Sequence, residues 1–487
     1  MHGGYGRYLD VDLTAGKFTD YEIPERWRTL YLGGRGIAGR ILLEELTGRE
    51  DPLSAENILV FATGPFQGTG LLGAGRHVVM GLSPKTGSVA DSYVGGFFGH
   101  ELGRSGYDGI ILRGAATEPV YLTLLNARGE IHLAKDLWGK GTGETERILL
   151  ERHPRGRIAS IGIAGENKVQ MACIIHDRSR SAGRPGLGAV MGAKGLKAIV
   201  VHGDREKLLY DRERFNKERA AYAKSVYDEG MKSFGEYGTA GGVTWLSEMG
   251  ILPTKNFQEG TFDQAEAIGG ERLHDTILVD RESCAGCPIR CKRAVKTSFA
   301  GRDVTPEFGG PEYETIGAFG SLCLNDDLDA IALANQLCND YGIDTISAGV
   351  AAAFLMEASE KGLIDEKIDW GDGEAIIRLI DQIAHREGIG DKIADGLEVY
   401  ARELGADFAM TIKGVELPMH EPRGKQGLGI SYATSPRGAT HMEGVHDTML
   451  SGDAPTPELG VDHVYDRFTL ADKPKIAKVY EDLRSFE

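Results

Sequence analysis

Apolar and polar positions through the first 203 residues alternate in short runs broken by turn residues, a period that predicts strands rather than long helices. Residues 8–13 predict a strand turned at Ala15-Gly16, and residues 57–61 another, ended by Thr63-Gly64-Pro65. Residues 120–125 and 130–134 flank Asn126-Ala-Arg-Gly129, a hairpin with glycine closing its turn. Residues 158–162 and 197–201 add two more strands, and residues 37–46 are the clearest of few helices. After His202-Gly-Asp204 the period changes. Residues 211–225 are charged and helix-forming, and residues 326–337 repeat apolar side chains on one face. Ile376, Leu379, Ile380 and Ile383 recur at three- and four-residue steps, with Gly388 where a C-terminal cap would stand. From about Ala406 the chain opens on strand-like Met410-Thr-Ile412 and becomes loop-rich. The fold class expected is α+β: a sheet-rich domain over 1–203, a mostly helical one over 204–405, and the start of a third over 406–487.

Length agrees, since 487 residues exceed one ordinary core. Lys and Arg number 55 against 72 Asp and Glu, a net charge of −17 that weighs against nucleic acid and anionic membranes. The N-terminus has no apolar signal region, and no run approaches the roughly 18 apolar residues of a membrane span. The chain therefore reads as cytoplasmic. Its 68 glycines follow no collagen-like period, so they imply tight turns and close backbone approaches, as a large phosphate-bearing cofactor would require. Six cysteines are too few for a disulfide framework. Cys173, Cys323 and Cys338 are scattered and read as buried thiols.

The other three cluster as Cys284-Ala-Gly-Cys287-Pro-Ile-Arg-Cys291. Short loops let three thiolates wrap one face of a cuboidal iron–sulfur cluster, and Pro288 suits such a turn. The spacing is two then three, the reverse of the radical adenosylmethionine pattern. A zinc site completed by a fourth Cys or His is the competing reading; the spacing favours the iron–sulfur cluster over it and leaves the choice open. Glycine-rich loops supply candidate anion sites: Gly73-Ala-Gly-Arg76 closing a strand, Gly95-Gly96 opening a helical stretch to Leu102, and residues 182–188 before a helical run. None matches a dinucleotide or P-loop fingerprint, so nicotinamide and nucleotide triphosphate enzymes recede. Glu312 and Glu314 lie in a glycine- and proline-bounded loop, where carboxylates are usually solvated. His441, in Arg437-Gly-Ala-Thr-His441-Met442, is likewise functional only with further support.

That support is the order of short segments along the whole chain. Residues 6–16, Gly75-Arg76, Ser83-Pro-Lys-Thr-Gly87, Gly95-Gly-Phe-Phe-Gly99, Gly106-Tyr-Asp-Gly109, Ile161-Gly-Ile-Ala-Gly-Glu-Asn167 and Arg180-Ser-Ala-Gly-Arg184 come first. Tyr237-Gly-Thr239, Lys255-Asn-Phe-Gln258, the cysteine triplet, Gly310-Pro-Glu-Tyr-Glu314 and Tyr341-Gly-Ile-Asp-Thr-Ile-Ser347 follow in register. Together they resemble the tungsten-containing aldehyde:ferredoxin oxidoreductase family. The resemblance implies tungsten (or molybdenum, which shares its ligand set) held by the dithiolenes of two pterins over the sheet-rich, cofactor-binding domain. It also implies a [4Fe–4S] cluster close by and a Mg ion bridging the pterin phosphates. Arg76 matches a pterin and cluster contact; Tyr93, Gly95, Gly96, Ala182, Gly183 and Arg184 fall on cofactor-loop positions. Main-chain oxygens of Tyr93 and Ala182 match the magnesium ligands, so Tyr93 in place of a typical Asn is harmless there. The pterin-binding Asp-x-x-Gly-Leu-Asp motif matches Asn339-Asp-Tyr-Gly-Ile343-Asp344, with Asn339 for the first Asp.

Cys284, Cys287 and Cys291 match three cluster thiolates. The motif bearing the fourth is absent, and residues 480–487 resemble the stretch before it, so the chain reads as ending just short of that ligand. Leu333 and Arg378 replace the Glu and His that bind an inter-subunit iron in some members, so that metal is not expected, and homodimer and hetero-complex both stay open. The implied activity is oxidation of an aldehyde substrate to a carboxylic acid, with electrons leaving to a ferredoxin-like acceptor or an iron–sulfur partner subunit. Glu314 matches the acid/base carboxylate and His441 the group that binds the carbonyl oxygen. The alternatives are a tungsten-pterin subunit of a larger complex reducing aromatic thioesters, and a non-catalytic iron–sulfur relay subunit.

Overall fold

The computed structural model describes residues 2–226, 229–450 and 456–486. Its sheet-rich first part contains two six-stranded sheets. The first comprises β1 (Arg7–Asp12), β2 (Lys17–Glu22), β3 (Leu59–Ala62), β4 (His77–Leu82), β5 (Val89–Val94) and β6 (Gly109–Arg113), in the order β2-β1-β6-β3-β4-β5. The second comprises β7 (Val120–Leu125), β8 (Arg128–Leu133), β9 (Arg157–Ser160), β10 (Ile174–His176), β11 (Arg180–Ala182) and β12 (Leu196–His202), in the order β11-β10-β9-β12-β7-β8. Each is mixed, with β1 parallel to β6 and β12 parallel to β7. Leu9, Val11, Phe61 and Val79 of the first sheet share one core with Leu122, Leu124, Ile199 and Val201 of the second. Helix Gly34–Glu45 covers the other face of the first sheet, packing Ile37, Ile41 and Leu42 onto Val60, Val78 and Met80. Covered on both faces, β3 must be apolar throughout, which is why residues 58–62 form an unbroken hydrophobic run.

Several expectations are corrected here. The β7–β8 turn is the dipeptide Asn126-Ala127, both in the left-handed region (φ 51° and 70°), and Arg128 and Gly129 already pair in β8. Two such residues match the twist of the flanking strands, so a longer loop is unnecessary. Gly73 to Arg76 precede β4 instead of closing a strand. Gly388 begins helix Gly388–Ala394, and the cap of helix Gly373–His385 is Arg386 at φ 56°. β2, β4, β5, β6, β10 and β11 lie outside the strands read from period. β2 is a polar edge strand, β5 buries Asp91 and Ser92, and β10 and β11 span three residues each, too short to show alternation.

Helices dominate the middle of the chain, as expected. Leu328–Tyr341, Thr345–Glu360 and Gly373–His385 each start at an aspartate, Asp327, Asp344 and Asp372, whose side chain accepts from a first-turn amide. Helix Thr345–Glu360 is buried from Ile346 to Ala358, the pattern of a central helix. Hairpin β13 (Leu278–Glu282) and β14 (Lys292–Val295) carries the three clustered cysteines in its connecting loop. Toward the C-terminus, Thr411–Ile412 pairs with Val415–Glu416, and a separate small core joins Val445, Leu450 and Tyr465 to Ile476 and Tyr480 of helix Lys473–Phe486. Glu487, the last residue of the stretch read as the chain's end, lies outside the described residues. Among the described residues no helix is long and apolar enough to cross a membrane.

Candidate active site

A cavity of about 670 Å³ lies where the three parts of the chain meet, a volume within the range of cofactor and ligand sites. Arg76, Tyr93, Gly183 and Arg184 line it from the sheets; Glu314, Asn339, Ile343 and Asp344 from the helices; His420, Arg437 and His441 from the C-terminal segment. Sequence reading had singled out all of these except His420 and Arg437. Ala182, Gly95 and Gly96 stand behind the wall. Ala182 is buried in β11, opposite Ile174. Gly95 and Gly96, directly after β5, press against other chain segments: a Cβ on Gly95 would lie 2.8 Å from Cys284 Sγ, and one on Gly96 2.4 Å from Asp177 Oδ2.

The cysteine loop is seated on these glycine turns. Ala285 N donates to Gly96 O at 3.1 Å, and Cys287 N donates to Cys284 O at 3.0 Å. Cys284, Cys287 and Cys291 are free thiols of intermediate burial. Burial, then the neighbouring Glu312 carboxylate, pushes the Cys291 thiol up. Among the described residues no three His, Cys, Asp or Glu side chains gather closely enough to hold a single metal ion.

Arg184 is held by acceptors from separate segments. Its Nε lies 3.2 Å from Asp344 Oδ2, and its two terminal nitrogens donate to Ala439 O at 3.3 Å and to Glu416 O. The Ser347 hydroxyl sits 2.6 Å from Asp344 Oδ2 and 2.7 Å from Glu416 Oε2, and Lys85 Nζ lies 2.5 Å from Glu416 Oε1. Two cations thus balance two buried carboxylates, with Arg184 and Asp344 on the cavity wall. A second network fixes the segment that bears His441. Arg437 lies 3.5 Å from Asp91 Oδ1 and 3.4 Å from Glu443 Oε1, and donates to Thr440 Oγ1 at 2.6 Å. Arg35 reaches the same two carboxylates at 3.4 and 3.1 Å.

Glu314 stands in the first turn of helix Tyr313–Phe319. Its Oε2 accepts from Met419 N at 2.8 Å; its Oε1 is 3.1 Å from His420 Nε2 and 3.8 Å from His441 Nε2. The contact with His420 is close but poorly aligned, so Oε1 has no full hydrogen bond. Burial alone would raise this carboxyl, but the imidazoles of His441 and His420 and the Met419 amide hold it well below the usual carboxylate range. Burial pushes His420 down to about 3 and His446 to about 4, and lowers His441 as well. The site therefore pairs an ionised carboxylate with neutral imidazoles. His420 and His446 escaped sequence reading, although three of the chain's 13 histidines fall within residues 420–446, a density that was the available signal.

Buried polar atoms point to a missing polar ligand. Arg180 Nε, Arg293 Nε and His441 Nδ1, all on cavity-lining residues, have no hydrogen-bond partner. The two guanidinium donors suit an anionic, heteroatom-rich cofactor.

Comparison with known sequences places the chain in a family. Residues 8–203 match the family model of the aldehyde ferredoxin oxidoreductase N-terminal domain, and residues 217–486 match that of its domains 2 and 3. The chain belongs to the aldehyde ferredoxin oxidoreductase family. The likeness read from the order of short motifs is borne out over the full length. The tungsten-containing aldehyde ferredoxin oxidoreductase of Pyrococcus furiosus is 38% identical over 496 residues, covering 99% of this chain and 80% of that protein. Its counterpart in Thermococcus kodakarensis has the same identity and coverage. The aliphatic sulfonate oxidoreductase WOR-like subunit of Pyrococcus furiosus is 31% identical over 521 residues, covering 99% of this chain and 81% of its own. Among solved structures, the active-site complex BamBC of benzoyl coenzyme A reductase, in complex with 1,5-dienoyl-CoA, superposes with a TM-score of 0.78 at 30% identity, covering 94% of this chain and 72% of the other. Aldehyde ferredoxin oxidoreductases are oxidoreductases, and membership makes this chain an enzyme of that class, with the sheet-rich first part and helical remainder of the family fold.

Proposed function

We propose that this chain oxidises aldehydes with water to carboxylic acids, releasing two protons and two electrons, the electrons passing through a [4Fe–4S] cluster to a ferredoxin-like acceptor. The single observation that carries the reading is Glu314, a buried carboxylate 3.1 Å from His420 Nε2 and 3.8 Å from His441 Nε2 on the wall of a cofactor-sized cavity. When bound, the tungsten (or molybdenum) bis-pterin supplies the two-electron acceptor. Arg76, Gly183, Arg184, Asn339, Ile343 and Asp344 are the residues that would hold it, with Mg on the main-chain oxygens of Tyr93 and Ala182. Cys284, Cys287 and Cys291 would hold the cluster, seated by Gly95 and Gly96.

Glu314 takes the proton released as water adds to the carbonyl carbon, because it stands on the cavity wall as a carboxylate and its Oε1 retains accepting capacity. His441 positions the carbonyl oxygen and is itself fixed by the Arg437–Asp91–Glu443 network on its segment. The test is Glu314→Gln in the anaerobically purified enzyme, assayed by aldehyde-dependent viologen reduction. Turnover should fall below detection with tungsten and iron contents unchanged; retained turnover removes the role.

A second reading is favoured by the likeness to BamBC at TM-score 0.78. On that reading the chain is the tungsten-pterin subunit of a larger reductase complex acting on an aromatic thioester. Aldehyde-dependent dye reduction by the isolated chain supports the first reading; activity that requires a partner complex and a thioester supports the second.

A further inference from the structure

Lys425 is a buried charge for which the reaction above names no task. It is 1% exposed, and its Nζ lies 3.0 Å from His420 Nδ1. On the opposite side of the same ring, Nε2 lies 3.1 Å from Glu314 Oε1. An ammonium has three N–H donors and no acceptor, so Nδ1 must meet it with a lone pair. The one proton of the neutral imidazole is then left to Nε2. We propose that Lys425 is a positioning residue that locks His420 in the Nε2–H tautomer, so that an N–H and never a lone pair faces the Glu314 carboxylate.

The alternative tautomer shows what the lock prevents. With the proton on Nδ1, the Nε2 lone pair would confront a carboxylate oxygen at 3.1 Å. The site would relieve that repulsion by protonating Glu314, converting the base to an acid before substrate arrives. Burial keeps His420 neutral, so a doubly protonated ring does not resolve the conflict. Lys425, pushed down to about 8 by burial, remains a cation at neutral pH.

Other groups leave the pairing undisturbed. His446 stacks edge-on against His420 with ring centroids 4.5 Å apart, but its Nε2 is engaged with His441 O at 2.9 Å. Glu314, Asp447 and Arg467 act electrostatically on Lys425, and Glu314, Arg184, Arg437 and Asp344 on His441. Backbone restraints hold the ring in place: Tyr432 OH donates to His420 O at 3.3 Å, and Tyr313 OH donates to Met419 O.

This inference rests on the reading of Glu314 as the proton-handling carboxylate, and two experiments keep their failures apart. Neutron diffraction from deuterium-exchanged crystals of the holoenzyme locates the protons without any substitution. Deuterium on His420 Nε2 and on all three Lys425 positions is expected; deuterium on His420 Nδ1 overturns the lock whatever Glu314 does. The second is the pH profile of kcat/KM for Lys425→Met and Lys425→Arg, normalised to tungsten content. Lys425→Met should move the acid limb upward by about one pH unit or more as Glu314 becomes easier to protonate. Lys425→Arg, which keeps a charged donor, should restore the parent limb. A Lys425→Met profile superimposable on the parent's overturns the proposal. Should Lys425→Met not fold, the neutron map decides alone. Should Glu314→Gln retain turnover, the functional reading fails and the map still decides the tautomer.

Discussion

Gly95 and Cys284 touch: a Cβ built on Gly95 would lie 2.8 Å from Cys284 Sγ. Gly75, just before β4, approaches the same cysteine, its own Cβ position 3.2 Å from Cys284 Cβ. β4 and β5 are neighbours in the sheet, so two glycine turns at one sheet end form the seat of the cysteine loop. A free thiol could rotate away from a methyl group, whereas a thiolate fixed by iron could not. Gly95→Ala should therefore cut iron per chain by more than half, measured by elemental analysis beside tungsten. Parent-level iron in that variant would refute the seat.

Arg184 binds a carboxylate and two carbonyls from three segments at once. Lysine offers a point charge on a flexible stem and cannot span them. Arg184→Lys should lower stability by about 2–4 kcal/mol, the loss of one or two charge-assisted bonds. Denaturant unfolding of the loaded enzyme reads this, and tungsten retained through gel filtration should fall with it. An unchanged midpoint with full tungsten would show that the fork is dispensable.

Lys85 and Glu416 form an ion pair with 2% and 0% side-chain exposure. Lys85→Met leaves the carboxylate buried without its counter-charge, at a cost of about 3–5 kcal/mol. Burial raises the Glu416 carboxyl, but Lys85 outweighs it and brings the pKa below the ordinary 4.5. A depressed folded-state pKa contributes stability above the unfolded value and loses it as pH falls through the folded one. With Lys85 gone, burial raises the Glu416 carboxyl, so the gap between Lys85→Met and parent should shrink as pH falls from the variant's raised value through the parent's lowered one. A pH-independent gap in denaturant midpoints would contradict this assignment.

Asn339, where the family motif has Asp, donates through Nδ2 to Phe308 O at 3.0 Å. An aspartate has no donor there and would set a negative charge against a carbonyl. Asn339→Asp should destabilise the metal-free protein by about 1–3 kcal/mol. Thermal unfolding checks it, and a stabilised variant would mean that the amide bond contributes little.

The sequence made some of this legible and hid the rest for identifiable reasons. Helices Leu328–Tyr341 and Gly373–His385 were readable because apolar side chains recur at three- and four-residue steps within each segment. The cysteine triplet and glycine turns were readable as spacings, although not that they touch. β4 and β5 were missed because their identity as strands rests on neighbours that cover both faces, which no local alternation records. Gly388 was misassigned because Arg386 adopts the left-handed cap itself, a choice fixed by the hydrogen bonds that its guanidinium makes to Asn167 O and Asp395.

What the chain determined by itself was therefore its family, its division into sheet and helix, and the candidacy of Glu314 and His441. Only the tertiary structure decided that His420 lies against that carboxylate, that Lys425 lies behind His420, and that Lys85 reaches Glu416 across 331 positions. Local order follows from interactions between residues a few positions apart. A proton-handling group is created by burial and by partners brought from distant segments, and those exist only once the chain has packed.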